Sequence, residues 1–170
     1  SARRCILIPR RQLETIEAPL TVVLRPTRKL HPLLPPSGDA PAQSGTALGD
    51  WYVNRITIDR RPLLLFVSST SLLPMLVPAR DVRTIPDRRA EMVAVRLRRL
   101  GIASSIIAAE RAAMSSVVVA PTADRSTVGI MIEFAKMLPF HLEAGAWDDT
   151  TLPFAEAWLA KIPCHVGRPG

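Results

Sequence analysis

The chain has 170 residues, 48% of them apolar, a formal charge of +7 and 16 prolines. That length suits one domain with a sizeable core, and it argues against a disordered chain. The basic excess favours anionic partners without specifying one. The two cysteines, Cys5 and Cys164, lie near opposite ends with no close Cys/His spacing. That excludes a disulfide scaffold and a structural zinc site, and it fits a reduced, cytoplasmic setting. No stretch approaches the roughly 20 apolar residues of a membrane span, and the apolar run from Cys5 to Ile8 is too short for a signal-peptide core.

In chain order, residues 1–18 are basic and aperiodic, an N-terminal appendage to a domain over 19–167. "PLTVVLRPT", 19–27, predicts a short strand closed by Pro26. "HPLLPPSGDAPAQSGTA", 31–47, is a loop. "WYVNRITI", 51–58, has the β-branched and aromatic density of a strand. "DRRP" turns the chain, and "LLLFV", 63–67, reads as a strand covered on both faces. "LLPMLVP", 72–78, predicts an edge strand because Pro74 cannot donate to a ladder. Together these suggest an antiparallel meander.

The second half changes period. Ala90, Val93, Leu97 and Leu100 mark one face of a helix over 86–100, with Gly101 suited to its end. "SSIIAAERAAM", 104–114, predicts a second helix with a Ser cap. "SVVVAPT", 116–122, is a late strand that could insert beside the early ones. "DRSTVGIMIEFAKML", 124–138, predicts a buried helix capped by Asp124 or Ser126. "TLPFAEAWLAKI", 151–162, predicts a last helix with Ala155, Trp158, Leu159 and Ile162 as its core face. The expected fold is a single α+β domain, a mainly antiparallel sheet covered by about four helices.

Five motifs occur in order: "LRPTRKL", "LGDWYVN", "LLLFVSSTSLLPMLVPARD", "DRSTVGIMIEFAK" and "LAKIPCHVG". They resemble a family of small bacterial proteins classed as a domain of unknown function, over about residues 20–167. The resemblance implies bacterial origin, one domain and cytoplasmic location, and it supplies no catalytic residues. Ser68 stands where the family often has Asn. Met131-Ile132-Glu133 stands where it has Met-Asn-Asp, so a polar role at those positions does not carry over.

Candidate sites are few. Trp51 and Tyr52 are either the start of a core strand, pointing to opposite faces, or a ligand-stacking platform. Arg88, Arg89, Arg96 and Arg99 form a candidate anion-binding face, with a solvated helix face as the plainer reading. His141, Glu143, Asp148 and Asp149 cluster in the 141–149 turn. Glu143, Asp148 and Asp149 could hold Ca²⁺ or Mg²⁺, although no cofactor is expected, and the turn lacks EF-hand spacing. Ser126, with His141 and Asp148, is the remaining choice for a nucleophile and its base, since no G-x-S-x-G elbow, H-E-x-x-H or P-loop is present. Cys164–His165 is a neighbour pair that needs spatial contact to react.

These features favour a non-catalytic binding or regulatory module with an anionic partner, a small ligand or a macromolecule such as nucleic acid. The alternative is a small hydrolase of esters or lactones, dependent on a divalent metal at the 141–149 turn. A homodimer pairing through the 72–78 edge is a third reading.

Overall fold

The computed structural model describes residues 21–36, 38–39, 44–142 and 152–164. Five strands form one sheet: β1 (Thr21–Pro26), β2 (Trp51–Ile58), β3 (Arg61–Ser68), β4 (Pro74–Pro78) and β5 (Ser116–Val119). The helices are α1 (Ile85–Arg99), α2 (Ser104–Ala113), α3 (Arg125–Met137) and α4 (Leu152–Leu159). The strand order is β4-β3-β2-β1-β5. The single α+β domain expected from the sequence is present, and the late strand does join the early ones.

The sheet is mixed rather than purely antiparallel. β2–β3 and β3–β4 are antiparallel, whereas β1 runs parallel to both β2 and β5. Alternating apolar patterns fix which face a residue takes but not the direction of its strand, which explains the difference. The β2–β3 hairpin turns on two residues, Asp59 and Arg60, both with positive φ. That backbone matches the twist of the flanking strands.

Helices cover both faces. α1 and α2 pack with Val22, Leu24, Trp51, Val53, Leu64 and Phe66. α3 and α4 pack with Tyr52, Leu63, Leu65, Val67 and Leu76 on the other face. Strand alternation drives the division, since neighbouring side chains point to opposite sides. Trp51 and Tyr52 are therefore both core residues, one in each layer, at 1% and 2% exposure. Burial leaves neither ring a free face, so the stacking platform is replaced by the strand reading.

The glycine before this pair is required. Gly49 has φ of 74°, and a β-carbon there would run into Ser69 Oγ and Thr70 Oγ1. The Asp50 N–H accordingly reaches Ser69 Oγ at 2.8 Å.

Three local expectations change. α3, expected to be buried, is amphipathic, with Thr127, Met131 and Phe134 as its buried residues. Ala103, not a Ser, stands at the start of α2, and no side chain caps it. Leu100, expected on the core face of α1, is exposed beyond the helix end. The α3 cap is Asp124, whose carboxylate accepts from Ser126 N and Thr127 N. The 1–18 stretch and Glu143, Asp148 and Asp149 lie outside the described residues. Among the described helices none is long and apolar enough to cross a membrane.

Candidate functional site

α1 has two working faces. Ile85, Val93, Ala94 and Leu97 pack on the sheet. A second stripe, Arg88, Glu91, Met92, Val95, Arg96 and Arg99, recurs at the three- and four-residue spacing of one helix side. It lines a groove of about 370 Å³, floored by β4 residues Met75 to Pro78 and walled on the far side by Leu152 and Glu156 of α4.

The groove runs along the outer edge of the sheet. β4 is an edge strand, and at alternate positions its backbone faces away from β3. Pro74 and Pro78 have no N–H to offer there. Two of the remaining groups are met by side chains. Leu76 N–H donates to Glu156 Oε1 at 2.8 Å, and Arg96 Nε donates to the Pro74 carbonyl at 3.0 Å. Side chains thus stand where a sixth strand would pair, which is a known way of protecting an edge. A homodimer through 72–78 would have to displace these two contacts.

Arg96 and Glu156 also pair with each other, Nε to Oε2 at 3.3 Å, and their side chains are 3% and 0% exposed. Arg99 approaches the same Oε2 at 3.6 Å from the surface. Burial pushes the Glu156 carboxyl up, while the Leu76 N–H and the two arginines pull it back. Burial likewise lowers Arg96, opposed by Glu156. The two directions share one cause, the loss of water around both charges, and a guanidinium stays protonated under it. Arg96 Nη2 and Glu156 Oε2 are buried without a hydrogen-bond partner among the described residues.

The four arginines of the expected basic face do not act together. Arg96 is internal. Arg89 donates to the carbonyls of Pro86, Met114 and Ser115, bracing the start of α1 against the end of α2. Burial lowers its pKa, with Asp87 opposing. Arg88 and Arg99 alone remain exposed at the groove. Nearby Glu91 is engaged by Arg98 at 3.2 Å and Arg111 at 3.1 Å.

Of the hydrolase candidates, Ser126 and His141 lie apart, and Asp148 is outside the described residues. Ser126 begins α3, and His141 follows its far end. The helix between them separates the two by roughly 20 Å. The His141 ring stacks on Trp158, with centroids 3.1 Å apart. Ser126 is exposed, and its N–H is bound to Asp124 Oδ1 at 2.9 Å. The Thr127 hydroxyl holds the Asp124 carboxyl below its ordinary range, helped by the Ser126 and Thr127 N–H groups and opposed by burial. The α3 terminus is thus filled by its own carboxylate. Cys164 is half-buried, and burial raises its thiol pKa, which favours the unreactive form. Among the described residues no three His, Cys, Asp or Glu side chains group as metal ligands.

Glu156 is the residue that sequence reading missed. Its signal is a lone carboxylate inside the apolar run "LPFAEAWLA", two residues before Trp158 and one turn after Leu152. Comparison with known proteins adds the family. No curated protein and no solved structure matches the chain. A family model does, over residues 23–169: the chain belongs to the family described as a domain of unknown function, DUF6933.

Proposed function

We infer that the protein is a non-catalytic binding module whose partner is a small amphipathic carboxylate held in the groove between α1, β4 and α4. One observation carries this reading: an open groove sets the exposed Arg88 and Arg99 beside an apolar bed, over the buried Arg96–Glu156 pair. Met75, Val77, Met92 and Val95 supply an apolar bed. The volume, about 370 Å³, is that of a small-molecule site. A nucleic acid is the weaker fit, because Arg89 and Arg96 are engaged internally and no continuous basic stripe is left to follow a phosphate backbone.

Decanoate is a suitable probe. Titrated against ¹⁵N-labelled protein, it is expected to give saturable amide shifts at Met75, Val77, Met92 and Val95. The double substitution Arg88→Ala with Arg99→Ala is expected to weaken binding about tenfold or more, since each charge-assisted contact is worth on the order of 1.5–3 kcal/mol. Arg88 is exposed, so Arg88→Ala alone is expected to leave the melting temperature unchanged, whereas Arg99→Ala also withdraws a charge from the buried Glu156. Absence of saturable shifts at the groove would overturn the reading.

A further inference from the structure

A second cavity, about 460 Å³, lies at the other side of the sheet, where β1 and β5 end. These two strands are adjacent and parallel, with Leu24 paired to Val119. Their continuations diverge. After β1 the chain turns to the α1/α2 face, where Leu30 and Leu34 are buried. After β5 it passes into α3, which covers the opposite face. A crevice outside the carboxyl ends of parallel strands, at the point where their connections part, is where open sheets of this kind take ligands.

The lining is chemically specific. Arg28 and His31 come from the turn after β1, Thr122 from the segment after β5, and Pro26, Pro32 and Pro121 present rigid apolar rings. Among the described residues no carboxylate lines it. Two acids on neighbouring segments are already committed: Asp50 is bound by Arg25 at 2.5 Å, and Asp124 caps α3. The walls are held in place. Arg25 Nη1 donates to the Pro121 carbonyl at 2.8 Å, Thr27 N–H reaches the Val53 carbonyl at 2.8 Å, and Asp124 N–H reaches Tyr52 Oη at 2.9 Å. Such preorganisation lowers the cost of binding. Here the anion is gripped by side chains, since the Ser126 and Thr127 N–H groups of α3 are taken by Asp124.

We propose that this crevice binds a phosphate monoester of a small aromatic alcohol, with Arg28 and His31 on the phosphate, Thr122 as a further hydroxyl contact and the proline rings against the aromatic body. The site is separate from the groove, and neither reading depends on the other.

The test is an amide-shift titration with phenyl phosphate, run beside phenol and inorganic phosphate. Phenyl phosphate is expected to bind more tightly than either half alone, with saturable shifts at Arg28, His31 and Thr122. Arg28→Ala with His31→Ala is expected to weaken it about tenfold or more. Arg28→Ala alone, at an exposed side chain, is expected to show most of that loss should the double variant disturb the turn. Arg88→Ala with Arg99→Ala is expected to leave it unchanged. Affinity that survives Arg28→Ala and the double variant would overturn the proposal, as would a lack of saturable shifts. Loss of phenyl phosphate binding in the Arg88/Arg99 variant alone would assign the anion to the groove and also overturn it.

Discussion

Two ion pairs tie distant segments of this chain together, and they are built differently. At the β1 end, Arg25 Nε meets Asp50 Oδ2 at 2.5 Å, and the other Asp50 oxygen accepts from the Ser44 hydroxyl and N–H. The remaining reach of Arg25 goes to the Pro121 carbonyl. At the β4 edge, Arg96 and Glu156 are more deeply buried, yet each keeps one atom without a hydrogen-bond partner. The first pair is complete as scaffolding. The second holds the same kind of bridge under a larger desolvation cost and with unused bonding capacity. The deeper pair therefore depends more heavily on its counter-charge than the shallower one does.

The sharpest way to break that contrast is to remove one charge of the deeper pair. Arg96→Met is expected to destabilise the fold by about 3–5 kcal/mol, because Glu156 is left buried and uncompensated. Urea denaturation would measure it. Adding Glu156→Gln is expected to restore part of the loss, since glutamine carries no charge and still accepts from Leu76 N–H. A double variant no more stable than Arg96→Met alone would show that Arg96 acts by packing or through Pro74, and not by balancing Glu156.

The shallower pair is expected to respond less. Asp50→Ala removes the acceptor for Arg25 and Ser44 together, at a cost of about 1–3 kcal/mol, because water reaches these partly exposed groups and replaces some of what is lost. The same unfolding measurement ranks it against Arg96→Met. Equal or greater destabilisation by Asp50→Ala would reverse the order that burial implies.

Local pattern accounts for what the sequence discloses. The period-2 run at 51–58 and the apolar run at 63–67 place the two central strands, and the opposite facing of Trp51 and Tyr52 follows from the pleat alone. Asp124 announces α3 because a carboxylate before a helix satisfies its free N–H groups. Strand direction is less legible. Among its described residues, the link from Pro26 to Trp51 holds one 3₁₀ turn, His31–Leu33, and no α-helix that would signal a parallel crossover, so the mixed sheet is not written in the periodicity. The groove is hidden for a related reason. Arg96 looks like one more surface arginine until α4, sixty residues later, brings Glu156 across the β4 edge. His141 and Ser126, close on paper as chemistry, are parted by the helix that the same sequence so plainly encodes.

The smallest test concerns the scaffold side of the comparison. Tyr52 Oη accepts the Asp124 N–H at 2.9 Å, so a side chain rooted in β2 fixes the entry to α3. Tyr52→Phe keeps the ring in its core and deletes only that acceptor. The expected loss is about 1 kcal/mol, the net worth of one hydrogen bond. It should also be local. Amide hydrogen exchange is expected to speed up at Asp124 and through the first turn of α3, while the central strands β2 and β3 keep their protection. Loosening confined to that turn would show that the sheet positions α3 through a hydroxyl. Uniform loosening of β2 and β3 would instead assign Tyr52 to core packing alone, and the completeness attributed to the β1 end would then rest on Arg25 and Asp50.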